Sequence, residues 1–92
     1  MIASFRHKGL RRLFEEDDAS KVPSELRDRI ARLLAALDEA QTLGALDRPS
    51  LRLHPLRGNL RDHWAIAVNG NWRIVFRFED GRALDVDLLD YH

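Results

Sequence analysis

The chain ends in Asp90-Tyr91-His92, a carboxylate, a phenol and an imidazole in succession. They follow Leu84-Asp85-Val86-Asp87-Leu88, whose alternation reads as a strand. Side chains of these types take up, donate and orient protons near neutral pH. Upstream stand a second imidazole, His54, beside Pro55, and the guanidinium of Arg73, just after Asn69-Gly70-Asn71. Two imidazoles with a guanidinium suit acid–base chemistry at a phosphodiester. In RNA cleavage of this kind the 2′-hydroxyl attacks the adjacent phosphate and a base removes its proton. An arginine stabilises the added negative charge, and an acid protonates the departing 5′-oxygen. Neither a metal nor an external nucleophile is required.

Other chemistries find little support. There is no cysteine, so neither a disulfide framework nor a thiolate site is available. His54, His63 and His92 lack a local ligand spacing, so no metal or other cofactor is expected. No serine sits in an elbow sequence, and no glycine-rich phosphate loop is present. No apolar run approaches the ~20 residues of a membrane span. Met1–His7 lacks the layout of a signal peptide, which makes the cytoplasm the expected compartment. Net charge is zero, against a free-standing electrostatic binder of nucleic acid. The charge is nevertheless segregated. Arg6, Lys8, Arg11 and Arg12 precede Glu15-Glu16-Asp17-Asp18; Arg48, Arg52, Arg57, Arg61, Arg73 and Arg77 share their segment with a single acid, Asp62; the tail is acidic. That pattern suggests a local cationic site on a neutral body.

The elements that must position these groups follow from periodicity. The 92 residues make one domain, spanning 1–92. Met1–Phe5 is extended and apolar, a first strand. Lys8–Glu16 places Leu10, Leu13 and Phe14 at helical spacing, and its acidic end opposes the helix dipole, predicting a break near Asp17. Pro23 suits the first turn of a second helix carrying Leu26, Ile30, Leu33, Leu34 and Leu37 on one stripe, with Arg27, Asp28, Arg29 and Arg32 off it, ending between Ala40 and Gly44. After Pro49 the period is two. Leu51–Leu56 reads as an edge strand with Arg52 and His54 on one side, because Pro55 cannot donate to a ladder. Trp64, Ile66 and Val68 share one face of the next strand; Trp72, Ile74, Phe76 and Phe78 share one face of the following one.

Parity sets the register. A three-residue loop at Asn69-Gly70-Asn71 pairs Val68 with Trp72 and Ile66 with Ile74, apolar on apolar. The same parity around Asp80-Gly81-Arg82 pairs Phe78 with Leu84 and Phe76 with Val86, sets Arg77 beside Asp85 and brings Leu89 to Arg73. The expected fold class is α+β, with two N-terminal helices on one face of a mostly antiparallel sheet of four or five strands. The opposite face, with Arg73, Val75, Arg77, Asp85 and Asp87, is expected to lie open to solvent or a partner. Trp64 and Trp72 are assigned to the core, and His7 and His63 receive no chemical role.

Four separated blocks, Arg52-Leu53-His54-Pro55-Leu56-Arg57-Gly58, Gly70-Asn71-Trp72-Arg73-Ile74-Val75-Phe76-Arg77-Phe78, Asp85-Val86-Asp87 and Asp90-Tyr91-His92, resemble the HigB-type toxins of bacterial toxin–antitoxin systems, within the RelE/ParE superfamily. Ser4-Phe5-Arg6-His7-Lys8-Gly9-Leu10 resembles them too, so the likeness covers essentially the whole chain. It implies a microbial-ribonuclease-like fold, cleavage of messenger RNA in the ribosomal decoding site, and inhibition by a helix-turn-helix antitoxin of the HigA kind, through which alone a DNA operator would be reached. Carried over by position, it implies that His54, Asp90, Tyr91 and His92 form the catalytic group and that Arg73 contacts the scissile phosphate. Arg57 and Arg61 are candidates for RNA backbone. The chain departs from the pattern at Leu88-Leu89, where the family often has an aromatic, and at Arg57, where it often has lysine. Rival readings are a binding-only toxin directed at a target such as DNA gyrase, and an inactive module that binds its antitoxin.

Overall fold

The computed structural model describes residues 1–90. Two helices, α1 (Lys8–Glu16) and α2 (Arg27–Glu39), precede four strands, β1 (His54–Pro55), β2 (Trp64–Ala67), β3 (Trp72–Glu79) and β4 (Arg82–Asp90). The strands form one antiparallel sheet in the order β1-β2-β3-β4. Residues 1–7 run parallel along the outer side of β4, through single bridges of Ile2 to Ala83 and Phe5 to Val86, in place of a regular first strand.

Both helices lie on one sheet face, as their apolar stripes require. Leu10 and Leu13 of α1 and Ile30, Leu33, Leu34 and Leu37 of α2 are buried with Ile66, Val68, Ile74, Phe76, Val86 and Leu88 of the sheet. Trp64 and Trp72 pack against this core. Helix α1 stops where Asp17 turns left-handed, at φ 55°, and the Asp17 amide returns to Leu13 O. The second helical stretch begins as a 3-10 turn at Ser24–Leu26, entered from Pro23, before α2 proper.

The first hairpin follows the parity argument. Val68 N donates to Trp72 O at 2.9 Å, and Ile66 pairs with Ile74. Asn69 closes the loop with its own side chain, Oδ1 accepting from Asn71 N and Trp72 N at 2.9 and 2.8 Å.

The second hairpin departs from the expected register near its turn. Phe78 pairs with Ala83 rather than Leu84, and Arg77 with Leu84. Asp80 and Gly81 both take positive φ, 52° and 76°, and close a two-residue loop. Such a loop would put the rest of β4 out of phase with the core. One extra residue, at Asp85 with φ 54°, makes a β-bulge and restores the phase. Beyond it Val75 meets Asp87, Ile74 meets Leu88 and Arg73 meets Leu89, the last as parity requires. The bulged amide is satisfied from outside the sheet: Asp85 N donates to Ser4 Oγ at 2.8 Å. Arg77 Nε donates to Asp85 Oδ2 at 2.9 Å, which raises the pKa of that guanidinium.

The edge strand is shorter than its alternation suggested. Arg52 is left-handed, at φ 50°, and Leu51 O instead accepts from Ala67 N at 2.7 Å. The sheet face away from the helices is less open than expected. Val75 is 2% exposed and Ala65 fully buried, while Arg73, Arg77, Asp85 and Asp87 are half-buried.

Two substitutions test this packing. Ser4→Ala strips the bulged amide of its acceptor and should cost about 1 kcal/mol. A Cβ at Gly9 would lie 2.7 Å from Lys21 Cβ and 2.8 Å from Lys21 O. Gly9→Ala should therefore cost about 1–3 kcal/mol. Urea unfolding reads both, and wild-type stability in either variant would contradict the packing described.

Candidate active site

His54 pairs with Ala65 on β2, Ala65 with Val75 on β3, and Val75 with Asp87 on β4. Residues directly opposite across strands share a face. Arg73, two positions from Val75, lies on that face too, in the row of Ala67 and Leu89. His54, Arg73 and Asp87 thus occupy one sheet face over a floor of small side chains, Ala65, Ala67 and Val75. Two strand spacings across and two residues along put the His54 and Arg73 Cα atoms roughly 12 Å apart. An imidazole and a guanidinium on one face at such a separation can address one phosphodiester.

Backbone carbonyls aim both side chains. His54 Nδ1 lies 2.9 Å from Arg52 O. A carbonyl only accepts, so the bond needs the proton on Nδ1, which in a neutral ring puts the lone pair on Nε2, where it can accept a proton. Arg73 Nη1 donates to Asn69 O at 2.5 Å and to Trp72 O at 3.1 Å, tying the guanidinium to the hairpin that precedes it.

The other candidates divide. Asp90 is exposed and paired with Trp72, at the same end of the sheet as Arg73. Strand alternation assigns it to the Trp72 side, and Leu89 to the side of Arg73. Tyr91 and His92 lie outside the described residues. Arg57 and Arg61, both exposed, flank the short turn Gly58–Leu60 in the β1–β2 connection. That connection enters β2 at Trp64, whereas Arg73 stands opposite Ala67 at the strand's other end. The two loop arginines are therefore separated from the Arg73 row by the length of β2.

The remaining histidines have structural places. His7 caps α1, its Nδ1 accepting from Leu10 N at 3.1 Å. His63 is buried, with neither ring nitrogen hydrogen-bonded among the described residues.

Charge clusters in space as it does in sequence. Arg6, His7, Lys8, Arg12 and Lys21 line a cleft of about 550 Å³ whose sole acid among the described residues is Asp87. A cleft of about 270 Å³ at the first hairpin is lined by Arg29 and Arg52 with Ser50, Asn69 and Gly70. Periodicity set Arg29 off the apolar stripe of its helix. In the structure it is half-buried and reaches the sheet, a reach that side-chain length permits and spacing along a helix does not reveal. Among the described residues no helix is long and apolar enough to cross a membrane.

Comparison with known proteins agrees with this architecture. The model of the HigB-like toxin family, described as the RelE-like toxin of the type II toxin–antitoxin system HigB, matches residues 3–92. The "Endoribonuclease HigB" of Proteus vulgaris is 47% identical over 92 residues, all of both chains. The "Toxin HigB-1" of Vibrio cholerae is 35% identical over 94 residues, covering 100% of this chain and 98% of that one. Among solved structures, YafQ from E. coli superposes with a TM-score of 0.65 at 12% identity, covering 98% of this chain and 93% of its own. The YoeB-YefM complex from Staphylococcus aureus gives a TM-score of 0.63 at 14% identity, covering 100% and 98%. At such identity these two speak for the fold alone. With nearly every residue matched by the family model and two full-length relatives above 30% identity, the chain belongs to the HigB-like family of RelE-like toxins.

Proposed function

We propose that this chain is an endoribonuclease toxin that cleaves messenger RNA on the ribosome by acid–base chemistry. The observation that carries the reading is the shared face of His54 and Arg73, with Nδ1 of the imidazole engaged by a carbonyl and Nε2 left as the base. The full-length likeness to a relative named an endoribonuclease supports it.

In this mechanism His54 Nε2 takes the proton from the 2′-hydroxyl as its oxygen attacks the neighbouring phosphorus. Arg73 faces the phosphoryl oxygens, where negative charge develops. His92 protonates the 5′-oxygen as its bond to phosphorus breaks, leaving a 2′,3′-cyclic phosphate and a free 5′-hydroxyl. Asp90 holds the His92 imidazole and Tyr91 orients the nucleotide. Each proton-transfer group of this kind is worth about 10²–10⁴-fold in rate.

A neutral protein gains little from long-range attraction to RNA. The substrate is therefore brought by the ribosome, and the local basic surfaces, Arg57 and Arg61 at one end of the sheet and the cleft of Arg6, Lys8, Arg12 and Lys21 at its β4 side, meet RNA backbone away from the scissile bond. The toxin acts in the cytoplasm. It is stored with a helix-turn-helix antitoxin of the HigA kind and touches operator DNA only through that partner.

His54→Ala and His92→Ala should each lower the single-turnover rate on messenger-programmed ribosomes by about 10²–10⁴-fold, with melting temperature unchanged. Arg73→Ala should cost about 10²–10³-fold. If His54 is the base, its loss removes the acidic limb of the pH–rate profile. Cleavage of the same RNA without ribosomes should be slower by orders of magnitude. Growth arrest with a DNA-damage response and uncut messages would overturn the reading in favour of a toxin that acts by binding gyrase.

A further inference from the structure

Helix α2 sends one side chain to the end of the sheet where the site is assembled. Arg29 Nη2 donates to Ser50 O at 3.1 Å and to Ala67 O at 3.3 Å, and its Nε donates to Val68 O at 3.4 Å. Three carbonyls from two separate stretches of chain converge on a single guanidinium. One stretch, residues 50–52, leads into β1 and presents Arg52 O to His54 Nδ1. The other, residues 67–69, leads into the hairpin and presents Asn69 O to Arg73 Nη1. Between the stretches the main chain makes the bond from Ala67 N to Leu51 O, at 2.7 Å.

The carbonyls that aim His54 and Arg73 thus stand one or two residues from carbonyls that Arg29 holds. Arg52 is left-handed and exposed, and the hairpin tip Asn69–Asn71 is exposed as well. Each stretch buries one side chain in the core, Leu51 and Val68, while its backbone carbonyls turn to the Arg29 fork. A planar fork with donors on several nitrogens can span carbonyls of two segments; an ammonium on a shorter stem presents its donors from one point.

We infer that Arg29 is a positioning residue for RNA cleavage, fixing the His54 loop against the Arg73 hairpin without touching substrate. The inference rests on the endoribonuclease reading above. Misplacement of reacting groups by about 1 Å costs on the order of 10²-fold in rate, so a loosened staple should show in turnover more than in binding.

The test uses full-length Arg29→Lys and Arg29→Gln proteins on messenger-programmed ribosomes, with single-turnover rates measured across ribosome concentration. Both variants should lose at least about tenfold in maximal rate while the half-saturating ribosome concentration stays within about twofold. Amide hydrogen exchange should quicken at residues 50–52 and 68–71 and stay unchanged in α2 and in β3 and β4. Failure of lysine to restore the rate separates the fork from its charge. Wild-type rates in both variants, full rescue by lysine, a loss confined to ribosome binding, or a uniform rise in exchange would each overturn the inference. If the unsubstituted protein cleaves nothing on ribosomes, the endoribonuclease reading falls and the positioning role falls with it.

Discussion

The extra residue in β4 is the constraint from which the rest of the sheet takes its order. An Asp-Gly pair with both φ values positive closes a tight hairpin whose twist matches its strands. Carried to the end of β4, that register would turn Val86 and Leu88 out of the core and Asp87 into it, because a shift of one residue exchanges the faces of a strand. The bulge at Asp85 absorbs the mismatch between what the turn prefers and what the core needs. Its stabilisers come from three places: the Ser4 hydroxyl on the bulged amide, Arg77 on the bulged carboxylate, and Val86 O receiving the amides of Arg6 and His7. The N-terminal segment therefore fixes the phase of the strand that ends at Asp90. Residues more than eighty positions apart decide whether the last described strand delivers its end beside Arg73.

The same economy governs the arginines. Two guanidiniums bond to backbone carbonyls. Arg73 is tied to Asn69 and Trp72, Arg29 to Ser50, Ala67 and Val68. A carbonyl fixes the direction of a guanidinium. Arg77 is the contrast: paired with Asp85 and Glu79, it has its charge balanced locally and serves the bulge. Parity set Arg77 beside Asp85 in advance, whereas the carbonyl partners of Arg29 and Arg73 emerge only from what lies within reach.

That separation marks where sequence reading stops. The α2 stripe of Ile30, Leu33, Leu34 and Leu37 was legible because burial imposes the helical period directly. The loop at Asn69–Asn71 was legible because only one parity sets Ile66 against Ile74. Parity failed at Phe78 because the turn's own dihedral preference outweighed it, and the bulge that reconciles the two leaves no mark in a hydrophobic pattern. Alternation over Leu51–Leu56 overstated β1, since Arg52 leaves the extended region and Pro55 offers no amide. Face and register placed His54 and Arg73 on one side of the sheet, as the structure has them. Arg57 and Arg61, assigned with them by charge and proximity along the chain, stand at the other end of β2. Arg29 was passed over because its helix position says where its Cα lies and nothing about where seven atoms of side chain end.

A site built this way explains why its floor is made of small residues. Ala65 and Ala67 sit between the strand that carries His54 and the strand that carries Arg73. A larger side chain at either position would rise between the two groups. Small residues give up part of the apolar burial available to a short domain, and the core on the helix face compensates with Phe76, Ile66, Ile74 and the α2 leucines. The two faces of β2 thus divide the work. Its helix side packs Ile66 into the core, and its other side stays shallow so that groups from β1 and β3 can approach across it. Leu89, paired with Arg73 on that shallow side, is the natural wall of the space at its C-terminal end. An aliphatic side chain there offers no flat ring to a base, so nucleotide stacking would fall to a residue other than Leu89.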